Sequence, residues 1–101
     1  MKEQLLIIQG LIGDIFDYSS DSLVSYKKNL RIALHLLKDS PASSNVTLEH
    51  WKLLAIEEFE KELNNRFSEK FENLPIEDQK SEFKFSKINS ANLLMNVIMN
   101  L

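Results

Sequence analysis

"TLEHWKLLAIEEFEKELNNRFSEKFE", residues 47–72, decides how this chain folds. Its apolar marks, Trp51, Ala55, Phe59, Leu63, Phe67 and Phe71, recur at every fourth residue. That spacing fits one face of an α-helix and not a strand, whose side chains repeat every second residue. Thr47 stands where an N-cap oxygen is wanted, and Glu49 falls in the positive first turn. A step of four overshoots the helical turn, so the stripe rotates by about 40° per step and by roughly 200° overall. One straight partner cannot follow such a rotation. Either the two ends pack on different neighbours or the helix breaks near Asn64–Asn65. We expect an unbroken helix over 48–72 with different neighbours.

Upstream, residues 21–38 carry a second helical stripe of Leu23, Tyr26, Leu30, Ala33, Leu34 and Leu37. Ile32 and Leu36 widen its apolar arc to about 200°, enough for more than one neighbour. "DSPASSN", residues 39–45, ends it, because Pro41 cannot continue a helix and pushes Ser40 towards extended geometry. Residues 3–17 read as a first helix with Leu5, Ile8, Leu11, Ile12, Ile15 and Phe16 on one side. Asp17, Ser19, Ser20 and Asp21 then break the pattern and offer cap oxygens. Downstream, Pro75 closes the long helix. "EFKFSKI" alternates like an edge strand, but a lone strand has nothing to pair with, so 76–89 is expected to be a short helix and a loop. Ser90 is expected to cap a last helix, 91–101, with Leu93, Leu94, Val97, Ile98 and Leu101 on one face. The sum is a single all-α domain, residues 1–101, built as a bundle of four or five helices.

Composition sets limits on function. The chain has 101 residues, 44% hydrophobic and 27% charged, which suits one globular core. There is no cysteine, which excludes disulfides, cysteine metal sites and thiol nucleophiles and fits the cytoplasm. No apolar run is long enough to cross a membrane, and no signal peptide is read at the N-terminus. Net charge is −3, opposite to what nucleic-acid binding asks for. Residues 1–40 balance five basic against five acidic groups, whereas 41–101 set seven against ten. A charged partner is therefore expected to be basic. No cofactor and no metal is expected, since the two histidines lack ligand spacing.

Four places are candidates for a site. Gly10 and Gly13, the only glycines, share one side of the first helix; they read as a tolerated weakness or a break in the helix, with the alternative of a contact surface, within the fold or to a partner, where missing side chains let another backbone approach. A phosphate loop there lacks the Lys-Ser or Lys-Thr that should follow. Arg31, His35 and Asp39 continue a row from Lys27; they read as a solvated flank on which Asp39 satisfies His35. RNases of the HEPN type also carry an Arg and a His on a small helical fold. They space them more widely than "RIALH" does, so their activity is not carried over. "EEFEKE", residues 57–62, is the densest acidic patch. Glu57 can pair with Lys61 and Glu62 with Arg66, leaving Glu58 and Glu60 free; the patch reads as a solvated helix face, with the alternative of an anionic surface, Glu57, Glu58, Glu60 and Glu62, that attracts a basic partner. Met95 and Met99 lie on a second side of the last helix, beside a row of Asn92, Asn96 and Asn100. Methionine adapts to irregular surfaces, and this side is expected to be buried in the bundle, with an intermolecular contact such as a homodimer as the alternative.

With its size, its acidity and the carboxylates of "EEFEKE", the chain resembles in general type the small acidic helical immunity proteins of bacterial toxin systems. The resemblance implies a non-enzymatic inhibitor that covers a basic toxin domain, typically a nuclease, in the cytoplasm. It carries no specific motif, so no site is transferred residue by residue. The alternative class is a homodimeric regulatory or adaptor subunit, or a secretion chaperone, acting through apolar surface. A small enzyme would have to use Arg31, His35 and Asp39.

Overall fold

The computed structural model describes residues 1–15 and 17–101. Its helices are α1 (Lys2–Gly13), α2 (Ser20–Asp39), α3 (Val46–Lys61), α4 (Glu69–Glu72) and α5 (Ile76–Met99), with a wide π turn, Glu62–Arg66, between α3 and α4. No strand occurs among the described residues, and the chain is an all-α bundle. α5 is its spine: at 1.5 Å per residue it runs about 36 Å, most of the 45 Å length of the molecule. α1 and α3 both pack on α5, and α2 lies against α1 and α3.

Local chemistry sets the helix ends. The Ser19 hydroxyl accepts the Ser22 amide at 3.0 Å while the Ser22 hydroxyl accepts the Ser19 amide at 2.7 Å, so a reciprocal capping box starts α2. Its buried residues, Tyr26, Leu30, Ala33 and Leu37, all belong to the expected stripe. α1 stops at Gly13, short of the expected 17. Leu5, Ile8 and Ile12 are buried, Ile15 is half-buried, and Leu11 turns out to solvent; Phe16 lies outside the described residues. α3 is capped by Asn45, not Thr47. Asn45 Oδ1 accepts the Leu48 amide at 3.1 Å, and its Nδ2 donates to the Asn100 carbonyl at 3.2 Å. One side chain thus starts α3 and ties it to the end of α5.

The unbroken helix over 48–72 is not what forms. The Phe67 amide donates to the Glu62 carbonyl, five residues back, at 3.0 Å. A turn closed over five residues takes up more chain than an α turn. It reverses the drift of a four-residue stripe and returns Phe67 and Phe71 to the core. Asn64 and Asn65, both exposed, sit in that turn. The alternative of a break at Asn64–Asn65 is the one the fold adopts.

The second correction concerns 76–101, where one helix, Ile76–Met99, replaces the expected short helix, loop and capped final helix. Phe83, Ser86, Ser90, Leu94, Val97 and Ile98 are its buried residues, spaced for one helical face. Ser90 caps nothing. Tyr26 of α2 donates its hydroxyl to Ser90 Oγ at 2.9 Å and shares a 2.7 Å hydrogen bond with Ser86 Oγ. The two serines leave room for the ring and satisfy its polar end, as a buried hydroxyl requires. Burial pushes the Tyr26 pKa up to about 12, against the pull of the two serine hydrogen bonds. Around Tyr26 stand Phe67 and Phe83, at ring-centroid distances of 5.9 and 5.3 Å, and Phe71 and Tyr18 extend the cluster. These edge-on arrangements are the favourable ones for aromatic rings.

Candidate functional site

The acidic patch is mostly committed within the fold. Glu62 is 1% exposed. Its Oε2 accepts from Arg66 Nε, and Arg66 Nη1 reaches on to Glu82 of α5. The expected Glu62–Arg66 pair is present, with its carboxylate buried and its guanidinium partly exposed. Glu62 Oε1 has no hydrogen-bond partner. Burial raises the Glu62 pKa; Arg66 opposes this and Glu58 adds to it. Glu58 and Glu60, expected to be unpaired, both have partners. Glu58 accepts from Asn89 Nδ2 at 3.2 Å, and Glu60 pairs with Lys38 of α2 at 2.9 Å. Glu57 is exposed, and the expected Glu57–Lys61 pair is not among the ion pairs of the described residues. The missing signal was tertiary: pairing at i,i+4 sees only one helix, whereas Lys38, Glu82 and Asn89 arrive from two others.

Gly10 and Gly13 are exposed, and a Cβ built on either meets nothing within 4 Å. Among the described residues no other backbone approaches them, so inside the fold they are a tolerated weakness and not a close-packing site. Gly10 therefore weakens an exposed helix interior with no packing in return. Gly10→Ala is expected to stabilise the protein by about 0.5–1 kcal/mol, read as a higher Tm in thermal unfolding. A lower Tm would mean that the space above Gly10 is used.

His35 Nε2 and Asp39 Oδ2 lie 2.9 Å apart with side chains 76% and 66% exposed. Arg31 is exposed and makes no ion pair among the described residues. The row from Lys27 to Asp39 is laid out as a flank, with one i,i+4 pair on it. His50 is exposed beside the Trp51 ring. Among the described residues no group of three or more His, Cys, Asp or Glu side chains is placed to hold a metal ion. One cleft, lined by Asp17, Tyr18, Lys80, Phe83, Lys84, Lys87 and Ile88, lies against the chain that leads into α2. Lys87 there donates to the Ile15 carbonyl and stands 5.9 Å from the Phe83 ring.

The outer face of α5 is different in kind. Phe85, Ile88 and Met99 are 59%, 51% and 74% exposed, Asn92 is exposed between them, and Met95 is half-buried. These five residues recur at spacings of three and four, so they form one stripe, opposite the stripe that fills the core. Met95 and Met99 were expected on a second side of the last helix, and they are there. Phe85 and Ile88 were missed, because a loop at 76–89 has no helical register to share with them. Leu6, Ile7 and Leu11 make a second exposed apolar group on α1. No helix is long and apolar enough to cross a membrane. No family model, no curated protein and no solved structure matches the chain.

Proposed function

We propose that this chain is a non-enzymatic protein-binding module that acts, in the cytoplasm, as an adaptor or regulatory subunit through the outer face of α5. One observation carries the reading. Residues 88–101 contain no Asp, Glu, Lys, Arg or His, although Ile88, Asn92, Met99 and Leu101 are exposed. Solvated faces of helices are normally charged, whereas the cores of protein interfaces are depleted of charge and enriched in aromatic residues and Met. A stripe of exposed Phe, Ile, Asn and Met, with a second Met half-buried within it, has the composition of an interface core.

The second reading is an immunity-type inhibitor of a basic toxin domain, supported by the net charge of −3 and the exposed Glu57. It ranks lower, because Glu58, Glu60 and Glu62 already hold Asn89, Lys38 and Arg66.

Co-purification of the tagged chain from its native host separates the two. With an apolar interface, partners are retained as salt rises from about 0.1 to about 1 M, which shortens the screening length from about 10 to about 3 Å. They are lost with Ile88→Lys and kept with Glu57→Lys. Loss in salt and with Glu57→Lys, with Ile88→Lys harmless, would overturn the apolar reading in favour of the acidic one.

A further inference from the structure

We infer that the outer face of α5 is covered by a second copy of this chain, the two α5 helices crossing at Asn92 about a two-fold axis. The inference rests on the proposed use of α5 as a binding face and names what binds there. Counted from Phe85, the stripe Phe85, Ile88, Asn92, Met95 and Met99 falls at the a and d positions of a heptad repeat. Phe83, Ser90 and Val97, on the opposite side of the same heptads, are buried in the chain's own core. One helix thus serves two cores, one inside the protomer and one still lacking its second half.

Charge selects the occupant. A two-fold contact lays the same patch of both copies together, so a face bearing a dominant charge repels itself. That matters for a chain of net charge −3. Residues 88–101 are free of charge, and this stretch can lie against itself at no electrostatic cost. A different protein would be recognised in part by complementary charge, and from Ile88 onwards this face has none to complement; the Arg66 guanidinium, 5.2 Å from the Phe85 ring, borders only its first position. Asn92 supplies the polar element. A carboxamide both donates and accepts, so Asn92 satisfies its own copy across a two-fold axis. A single Asn in such a seam specifies register and oligomeric state.

Size sets the strength. An aromatic side chain buries roughly 150–250 Å² in full, and the half-exposed seam offers on the order of 400 Å² per copy, against the roughly 800 Å² per partner of a standard interface. The dimer is accordingly weak and concentration-dependent, in the micromolar range.

The chain has no cysteine, so Asn92→Cys introduces a single thiol. Under mild oxidation Asn92→Cys is expected to form a disulfide-linked dimer at least about tenfold faster than Ser25→Cys, an exposed control on α2. Sedimentation equilibrium of the unmodified chain should pass from monomer to dimer between about 1 µM and 1 mM, and Ile88→Glu should weaken that association at least about tenfold, with the helical circular-dichroism signal unchanged. A chain monomeric at about 1 mM, or an Asn92→Cys thiol no faster than the control, overturns the second copy. If Ile88→Lys still releases partners in co-purification, the binding face survives that failure and its occupant is another protein. If it releases none, both readings fall.

Discussion

Phe83→Ala is expected to lower the unfolding free energy by about 3–5 kcal/mol, whereas Phe85→Ala, two residues on, is expected to cost about 1 kcal/mol or less, the contact of its ring with Arg66 included. Phe83 is 2% exposed, with its ring centroid 5.2 Å from that of Tyr18 and 5.3 Å from that of Tyr26. Truncation removes a large buried surface and leaves a cavity between α5, α2 and the chain leading into α2. Rigid ring neighbours fill such a cavity poorly. A domain of this size has a total stability of about 5–15 kcal/mol, so the loss is a large fraction of the whole, from about a fifth upwards. Thermal unfolding should show it as a fall in Tm on the order of 20 °C. Phe85 is 59% exposed and faces away from that core. The contrast also tests the secondary structure. In a strand, residues 83 and 85 share a face and should respond alike; in a helix they point to opposite sides. Equal losses at the two positions would sink the helical reading of this segment, and with it the α5 seam.

That pair of phenylalanines shows where the sequence was legible and where it was not. The stripe of α2 could be read because every buried position on it, from Tyr26 to Leu37, is apolar or carries a ring. The face of α5 could not, because two of its core positions are serines. Ser86 and Ser90 look like breaks in an apolar pattern, and only Tyr26, more than sixty residues away in the chain, shows that they are core contacts. α3 hides the same kind of exception. Lys52 is 5% exposed, yet its ammonium reaches Glu49 at 3.0 Å and the Pro41 carbonyl at 3.3 Å, while its stem fills the core side of the helix. Glu62 is the second exception, and the π turn around it is the third. Ser86, Ser90, Lys52 and Glu62 are polar residues at core positions, and each belongs to a set of contacts that reaches beyond its own helix, to Tyr26, to the Pro41 carbonyl, and through Arg66 to Glu82. Single-helix periodicity carries no information about those partners. The binding stripe of α5 was half-legible for the same reason: Met95 and Met99 lay on a recognised helix, and Phe85 and Ile88 did not.

Arg66→Ala is expected to destabilise the protein by about 3 kcal/mol at pH 7, because it leaves the buried Glu62 carboxylate without its cation. Arg66 is partly exposed and binds Glu62 and Glu82 together, so its removal also leaves two acids of different helices near each other. Glu58 lies close on the α3 side and adds to the negative field. The pH dependence identifies the cause. The folded-state pKa of Glu62 is already raised above its ordinary 4.5, with burial the largest contribution. Without Arg66 it rises further. In the window between 4.5 and the raised value, the folded protein keeps a proton that the unfolded chain releases, so stability falls as pH rises through that window. The deficit of Arg66→Ala should therefore be full at pH 7 and shrink as pH drops towards 4.5. Arg66→Ala combined with Glu62→Gln should recover most of the loss at pH 7, since a neutral amide needs no cation. Denaturant melts of the single and double variants at the two pH values measure both effects. If the double variant is as unstable as Arg66→Ala alone, the loss comes from the packing of the Arg66 stem against its surroundings, including the Phe85 ring 5.2 Å from its guanidinium carbon, and the electrostatic account of the π turn is wrong.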